Sequence, residues 1–107
     1  SLVGGSPDGV LKDRGIIEIK CPFTTREHVR TILTGMPPEH AAQVQGNMWL
    51  TGAEWCDFIS YDPRCKEHDL HVVRVEKDEE FIENLRNRVM AFRALLLKSI
   101  VELEGQP

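Results

Sequence analysis

Ser6-Pro7-Asp8-Gly9-Val10-Leu11-Lys12-Asp13-Arg14-Gly15-Ile16-Ile17-Glu18-Ile19-Lys20 is the stretch that decides how this chain is read. Ser6-Pro7-Asp8-Gly9 is made of turn formers. Val10-Leu11, the polar turn Lys12-Asp13-Arg14-Gly15 and the apolar run Ile16 to Lys20 predict a β-hairpin. Side chains alternate along a strand, so Ile17 and Ile19 face one way while Ile16, Glu18 and Lys20 face the other. Glu18 and Lys20 therefore share one side of a sheet. The arms of a hairpin lie about 5 Å apart, which allows Asp8 and Glu18 to converge. Pro22 ends the strand.

Outward from the hairpin, Leu2 to Gly5 reads as a preceding strand. On the other side, Thr24-Thr25-Arg26-Glu27 is a capping-box signature with Thr24 as N-cap and Glu27 three residues on. The helix it opens should run to about Leu33, stopped by Gly35 and Pro37-Pro38. A second helix is expected to start at those prolines. It turns Ala41, Val44, Met48 and Trp49 toward the core and ends near Gly52. Cys56 to Tyr61 and Leu70 to Val75 read as two more strands, punctuated by Tyr61-Asp62-Pro63-Arg64. Asp78-Glu79-Glu80 then opens a long helix, with acids placed to suit its dipole. Its apolar positions Phe81, Leu85, Val89, Phe92, Leu96, Ile100 and Leu103 recur at three and four, a seam for core or subunit contact. The order predicts an α/β fold, a small mixed sheet covered by helices.

With 107 residues and 41% apolar composition, the chain has the means for one domain with one modest core. The longest apolar run, Ala94 to Leu97, is far too short to span a bilayer. The opening Ser1-Leu2-Val3 reads as the middle of a strand, so a fragment is expected. Three cysteines, Cys21, Cys56 and Cys65, are an odd number without disulfide spacing, which points to a reducing compartment. Cys65, His68 and His71 match no standard zinc spacing. A net charge of −4 does not advertise DNA binding. Local fields matter more than totals, and Lys12, Arg14, Lys20, Arg26 and Arg30 cluster in sequence around the acidic pair.

An aspartate after a proline in a turn, then Glu-x-Lys on the adjoining strand, is the PD-(D/E)xK pattern of metal-dependent nucleases. Magnesium takes hard oxygen ligands, here Asp8, Glu18 and the backbone carbonyl of Ile19. Such a cation polarises a phosphoryl oxygen and acidifies a bound water. Lys20 reaches the same side and can orient that water or stabilise developing charge. Each half of the pattern alone is commonplace. Together, in order and followed by a helix, they favour a phosphodiesterase.

Beyond the motif, further blocks recur in order: Gly5-Ser6-Pro7-Asp8-Gly9, Glu18-Ile19-Lys20-Cys21-Pro22-Phe23-Thr24, Ala42-Gln43-Val44-Gln45 with Met48-Trp49, and Tyr61-Asp62-Pro63-Arg64. From about Val3 to Asp78 the chain resembles the phage lambda exonuclease family, also called the YqaJ-like viral recombinase family. The resemblance implies a restriction-endonuclease-like core over residues 1–107. It also implies a Mg²⁺-dependent exonuclease, with Mn²⁺ as a substitute, that digests one strand of linear double-stranded DNA 5′ to 3′ into 5′-mononucleotides. By the same resemblance Asp8 and Glu18 are metal carboxylates, Ile19 gives its carbonyl, and Lys20 is the catalytic lysine. Gln43 matches an active-site glutamine and Ser6 a serine near the DNA phosphate. Family members are often homotrimers working with a single-strand annealing protein in the bacterial cytoplasm, with no membrane partner. They also carry an N-terminal helical region that has no counterpart here, and it supplies a further acid and a phosphate-holding arginine.

Cys21, Trp49, Trp55 and Tyr61 read as packing residues, and Arg64 as a turn cap or, secondarily, a phosphate contact. Two competing functions remain: a nicking or site-specific endonuclease on the same fold, and a catalytically incomplete oligomerisation module.

Overall fold

The computed structural model describes residues 9–10 and 14–105. Ser6, Asp8 and the strand expected over residues 2–5 lie outside the described residues. The elements are β1 (Gly9–Val10), β2 (Gly15–Lys20), α1 (Thr25–Thr34), α2 (Ala41–Thr51), β3 (Trp55–Tyr61), β4 (Leu70–Glu76) and α3 (Glu79–Glu104), with a 3₁₀ turn at Pro38–His40. The strands form one mixed sheet in sequence order. β1 and β2 are antiparallel, β2 and β3 parallel, and β3 and β4 antiparallel. α1 and α2 fill the connection that a parallel pair requires.

The period-two reading of β2 holds: Ile16 and Glu18 are buried, whereas Ile19 is exposed. Register carries this face across the sheet in three rows. Ile16, Cys56 and Val75 form an apolar row, Glu18, Phe58 and Val73 a mixed one, and Lys20, Ser60 and His71 a polar one. The core of Ile16, Val44, Met48, Ala53, Cys56 and Phe58 lies between this face and α2. The sheet is thus greasy at one end and polar where β2 ends.

Local chemistry explains the boundaries. The Thr24 hydroxyl accepts from the Glu27 N–H at 3.3 Å, so the capping reading of α1 is correct. The prolines open a single 3₁₀ turn instead of the α-helix itself, which begins at Ala41. α2 closes on Gly52, whose φ of 75° is the left-handed conformation glycine adopts without strain. Gly15 is required for a different reason: a Cβ there would overlap the indole of Trp55, its neighbour in register. Arg74 lies over that indole, 3.6 Å from its centroid.

α3 is capped by Asp78, whose side chain accepts from Phe81 N–H at 3.0 Å. Its 26 residues make it about 39 Å long. Gln45 ties its start to α2, donating to the Glu76 carbonyl at 3.0 Å and accepting from Asp78 N–H at 2.9 Å. The predicted seam is half-buried at best: Phe81, Leu85 and Val89 are partly covered, and Phe92, Leu96, Ile100 and Leu103 are exposed. The buried residue of α3, Ile82, lies outside that seam. The helix outruns α2, on which it packs, and the described residues extend over 65 × 31 × 21 Å.

Candidate active site

Glu18 is 4% exposed, an unusual depth for a carboxylate, and its surroundings explain how it is tolerated. Gln43 donates from Nε2 to Glu18 Oε1 at 3.2 Å, and Asn47 donates from Nδ2 to Oε2 at 3.5 Å. The Lys20 ammonium stands 3.4 Å from Oε1 and donates to Gln43 Oε1 at 2.9 Å. Glu18 and Lys20 come from alternate positions of β2, Gln43 and Asn47 from successive turns of one α2 face. Val44 and Met48, fully buried beside them, hold that face against the sheet. Acid, ammonium and two amides therefore meet at one point, on rigid elements.

Gly9, the residue after Asp8, pairs with Ile17, the residue before Glu18. Asp8 and Ser6 themselves lie outside the described residues. Among the described residues no group of three His, Cys, Asp or Glu side chains is placed to hold a metal ion. Cys65, His68 and His71 therefore form no such site. Glu18 and the Ile19 carbonyl offer oxygen only, the donor chemistry that suits a hard divalent cation.

Around this centre lie polar groups that sequence reasoning missed. Asn47 could have been found as the residue four after Gln43. His28 is fully buried, with Nδ1 2.7 Å from Ser60 Oγ and Nε2 2.6 Å from the His68 carbonyl. A carbonyl only accepts, so Nε2 carries a proton. A recess of about 210 Å³ opens beside Lys20 and Ser60, with Phe23, Arg30, His40 and Phe58 also lining it.

The packing expectations need correction in two places. Cys21 is exposed, because β2 ends one residue before it, and Tyr61, at the last position of β3, is 37% exposed. Arg64 is a turn cap with a longer reach. It donates to both carboxylate oxygens of Asp62 and to the carbonyls of Pro22 and Phe23. The guanidinium beside it lowers the Asp62 carboxyl to a pKa of about 2, and Asp62 in turn raises that of Arg64.

Known proteins resemble this chain in sequence and in fold. Residues 1–54 match the family description YqaJ-like viral recombinase domain. A protein named ExoD from Escherichia coli (strain K12), described as uncharacterized, is 33% identical over 64 residues, which is 60% of this chain and 74% of that protein. The alkaline exonuclease LHK-Exo of Laribacter hongkongensis superposes with a TM-score of 0.84 at 44% identity, over 92% of this chain and 52% of its own. That enzyme has also been solved in complex with dAMP, where the match covers 51% of it. A phage related exonuclease from Haemophilus somnus 129PT shares the fold at 22% identity and a TM-score of 0.55, over 85% of this chain and 52% of that one. The chain spans about half the length of these solved structures. The mixed sheet and three α-helices, the last of them long, are the alkaline exonuclease fold.

Proposed function

Since the chain belongs to the YqaJ-like viral recombinase domain family, we propose that it forms the catalytic core of a metal-dependent exonuclease acting on linear double-stranded DNA. The observation that carries this reading is the meeting of Glu18, Lys20 and Gln43 at one point between β2 and α2, where the Glu18 carboxylate is buried and its two partners reach toward solvent. The likeness to LHK-Exo at 44% identity supports it. So does the pairing of Gly9 with Ile17, the neighbours in sequence of Asp8 and Glu18.

In this proposal Glu18, the Ile19 carbonyl and Asp8 hold Mg²⁺, which supplies Lewis acidity at the scissile phosphate. The water oxygen bonds to phosphorus, the P–O3′ bond breaks, and the leaving oxygen takes up a proton. A 5′-mononucleotide is released and a new 5′-phosphate remains. The Lys20 ammonium donates to the attacking water or to the phosphoryl oxygens, and Gln43 fixes the direction in which Lys20 points. Ser6 is assigned to phosphate contact. Digestion from 5′ to 3′, a homotrimeric assembly, an annealing-protein partner and a bacterial cytoplasmic setting belong to the same proposal. Among the described residues no helix is long and apolar enough to cross a membrane.

The test uses the intact protein that carries this chain. Asp8→Ala, Glu18→Ala and Lys20→Ala should each abolish Mg²⁺-dependent release of nucleotides from linear duplex. Full activity in any of them rejects the assignment of that residue, and full activity in all three rejects the nuclease reading. A covalently closed circle should stay intact; its opening would favour an endonuclease on the same fold. The exposed distal half of α3 favours a second reading, an assembly module. Calorimetry with Mg²⁺ or Mn²⁺ separates the two, because the module predicts no heat that depends on Glu18.

A further inference from the structure

Lys20 is the last residue of β2, and the four residues after it must turn the chain into α1. That turn has little packing to hold it. Cys21 is exposed and the Phe23 side chain is 90% exposed. Pro22 has no N–H to bond. Thr24 is tied to α1 by its own bonds, and Pro22 and Phe23 are gripped by a side chain from the loop after β3. Arg64 donates from Nη2 to the Pro22 carbonyl and from Nη1 to the Phe23 carbonyl, both at 3.1 Å.

Arg64 is itself immobilised. Its Nε and Nη2 donate to the two oxygens of Asp62 at 2.8 and 3.2 Å, and its backbone N–H reaches Asp62 Oδ1 at 3.0 Å. Asp62 is 1% exposed and anchored by its own N–H, which donates to the Asp69 carbonyl at 2.8 Å. Four of the five guanidinium N–H groups are thereby committed within the protein, leaving little for a DNA phosphate. The same strand end is also fixed by the pairing of Lys20 with Ser60.

We propose that Arg64 and Asp62 are a positioning pair for Lys20: they lock the exit of β2 so that the ammonium stays between Glu18 and Gln43. This inference rests on the nuclease reading of Lys20 and adds two residues that act through the backbone of the turn after it. A planar fork can bind a carboxylate and two diverging carbonyls at once; the ammonium of a lysine cannot. A chain end released by a few tenths of an ångström would carry Nζ away from its 2.9 Å contact with Gln43.

The experiment measures steady-state nuclease kinetics of the intact protein for Arg64→Ala, Arg64→Lys and Lys20→Ala, with circular dichroism to count folded molecules. Arg64→Ala and Arg64→Lys should each lower kcat per folded molecule by about 10–100-fold, the usual effect of removing a supporting partner. KM should stay within about twofold, since four of the five guanidinium N–H groups are already committed within the protein. Millimolar guanidine should restore part of the kcat of Arg64→Ala by refilling the vacated fork. Unchanged kcat per folded molecule in both variants overturns the proposal. So does a raised KM at constant kcat, which would make Arg64 a phosphate contact. Full activity in Lys20→Ala defeats the underlying nuclease role of Lys20. An inactive Lys20→Ala beside a fully active Arg64→Lys defeats the positioning pair alone.

Discussion

Glu18 has each of its oxygens facing an amide donor, and those donors decide which way the carboxylate points. Asn47 is the less obvious of the two. Replacing it with alanine leaves Oε2 free to rotate, and Mg²⁺ affinity by calorimetry should fall by about 10–100-fold with little loss of fold. The Glu18 and Lys20 relationship was legible in the sequence, since period two alone places them together. Gln43 was legible only through the resemblance, because nothing local distinguishes a site amide from a surface one. The turn-capping role of Arg64 was legible, but its distant partners were not: Pro22 and Phe23 lie 42 and 41 positions away. The Asp62 carboxyl has a testable signature of its own. Its pKa is lowered from 3.8 to about 2 in the folded protein. A depressed acid stabilises the fold fully above its unfolded value, near 4, and that stabilisation fades as pH falls toward 2. The melting-temperature gap between the parent and Asp62→Asn should therefore be constant from pH 7 to 5 and shrink steadily from pH 4 to 2. A gap that is independent of pH would show that Asp62 is not ionised in the fold.

At the scale of elements, the caps and periodicities were readable because they are local. Thr24, the turn at Gly52 and the acids opening α3 all act within one turn of the residues they cap. Thr24→Ala should cost about 1 kcal/mol in urea unfolding. The parallel pairing of β2 with β3 is another matter. Thirty-four residues separate Lys20 from Trp55, and no local signal fixes which strands meet or in which register. The clearest trace of that register is Gly15, which reads in sequence as an ordinary turn residue. In the sheet it is the space occupied by the Trp55 indole. Gly15→Ala should destabilise by roughly 1–3 kcal/mol through forced repacking, measured by denaturant midpoint. Trp55→Ala in the same background should relieve much of that strain, and a double-mutant cycle reads the coupling. Additive effects would mean that the two residues do not meet.

The whole molecule is lopsided, because α3 has 26 residues and α2, on which it packs, has 11. The sequence showed a continuous apolar seam and could not show where its partner stops. Along the first turns Leu85 packs toward Gly46 of α2 and lines a groove with Trp49 and Val89. Further on, Phe92, Val101 and Leu103 are each about two-thirds exposed or more. Hydrophobic stabilisation follows area removed from water, so the two halves of one helix should respond differently to the same change. Leu85→Glu should cost roughly 1–3 kcal/mol, whereas Val101→Glu should stay within about 0.5 kcal/mol, both read from urea midpoints of the intact protein. Equal and large costs would mean that another surface covers the distal half in solution. Sedimentation of Val101→Glu then says whether that surface is a second copy, since loss of a dimer or trimer on adding one charge locates the contact on α3.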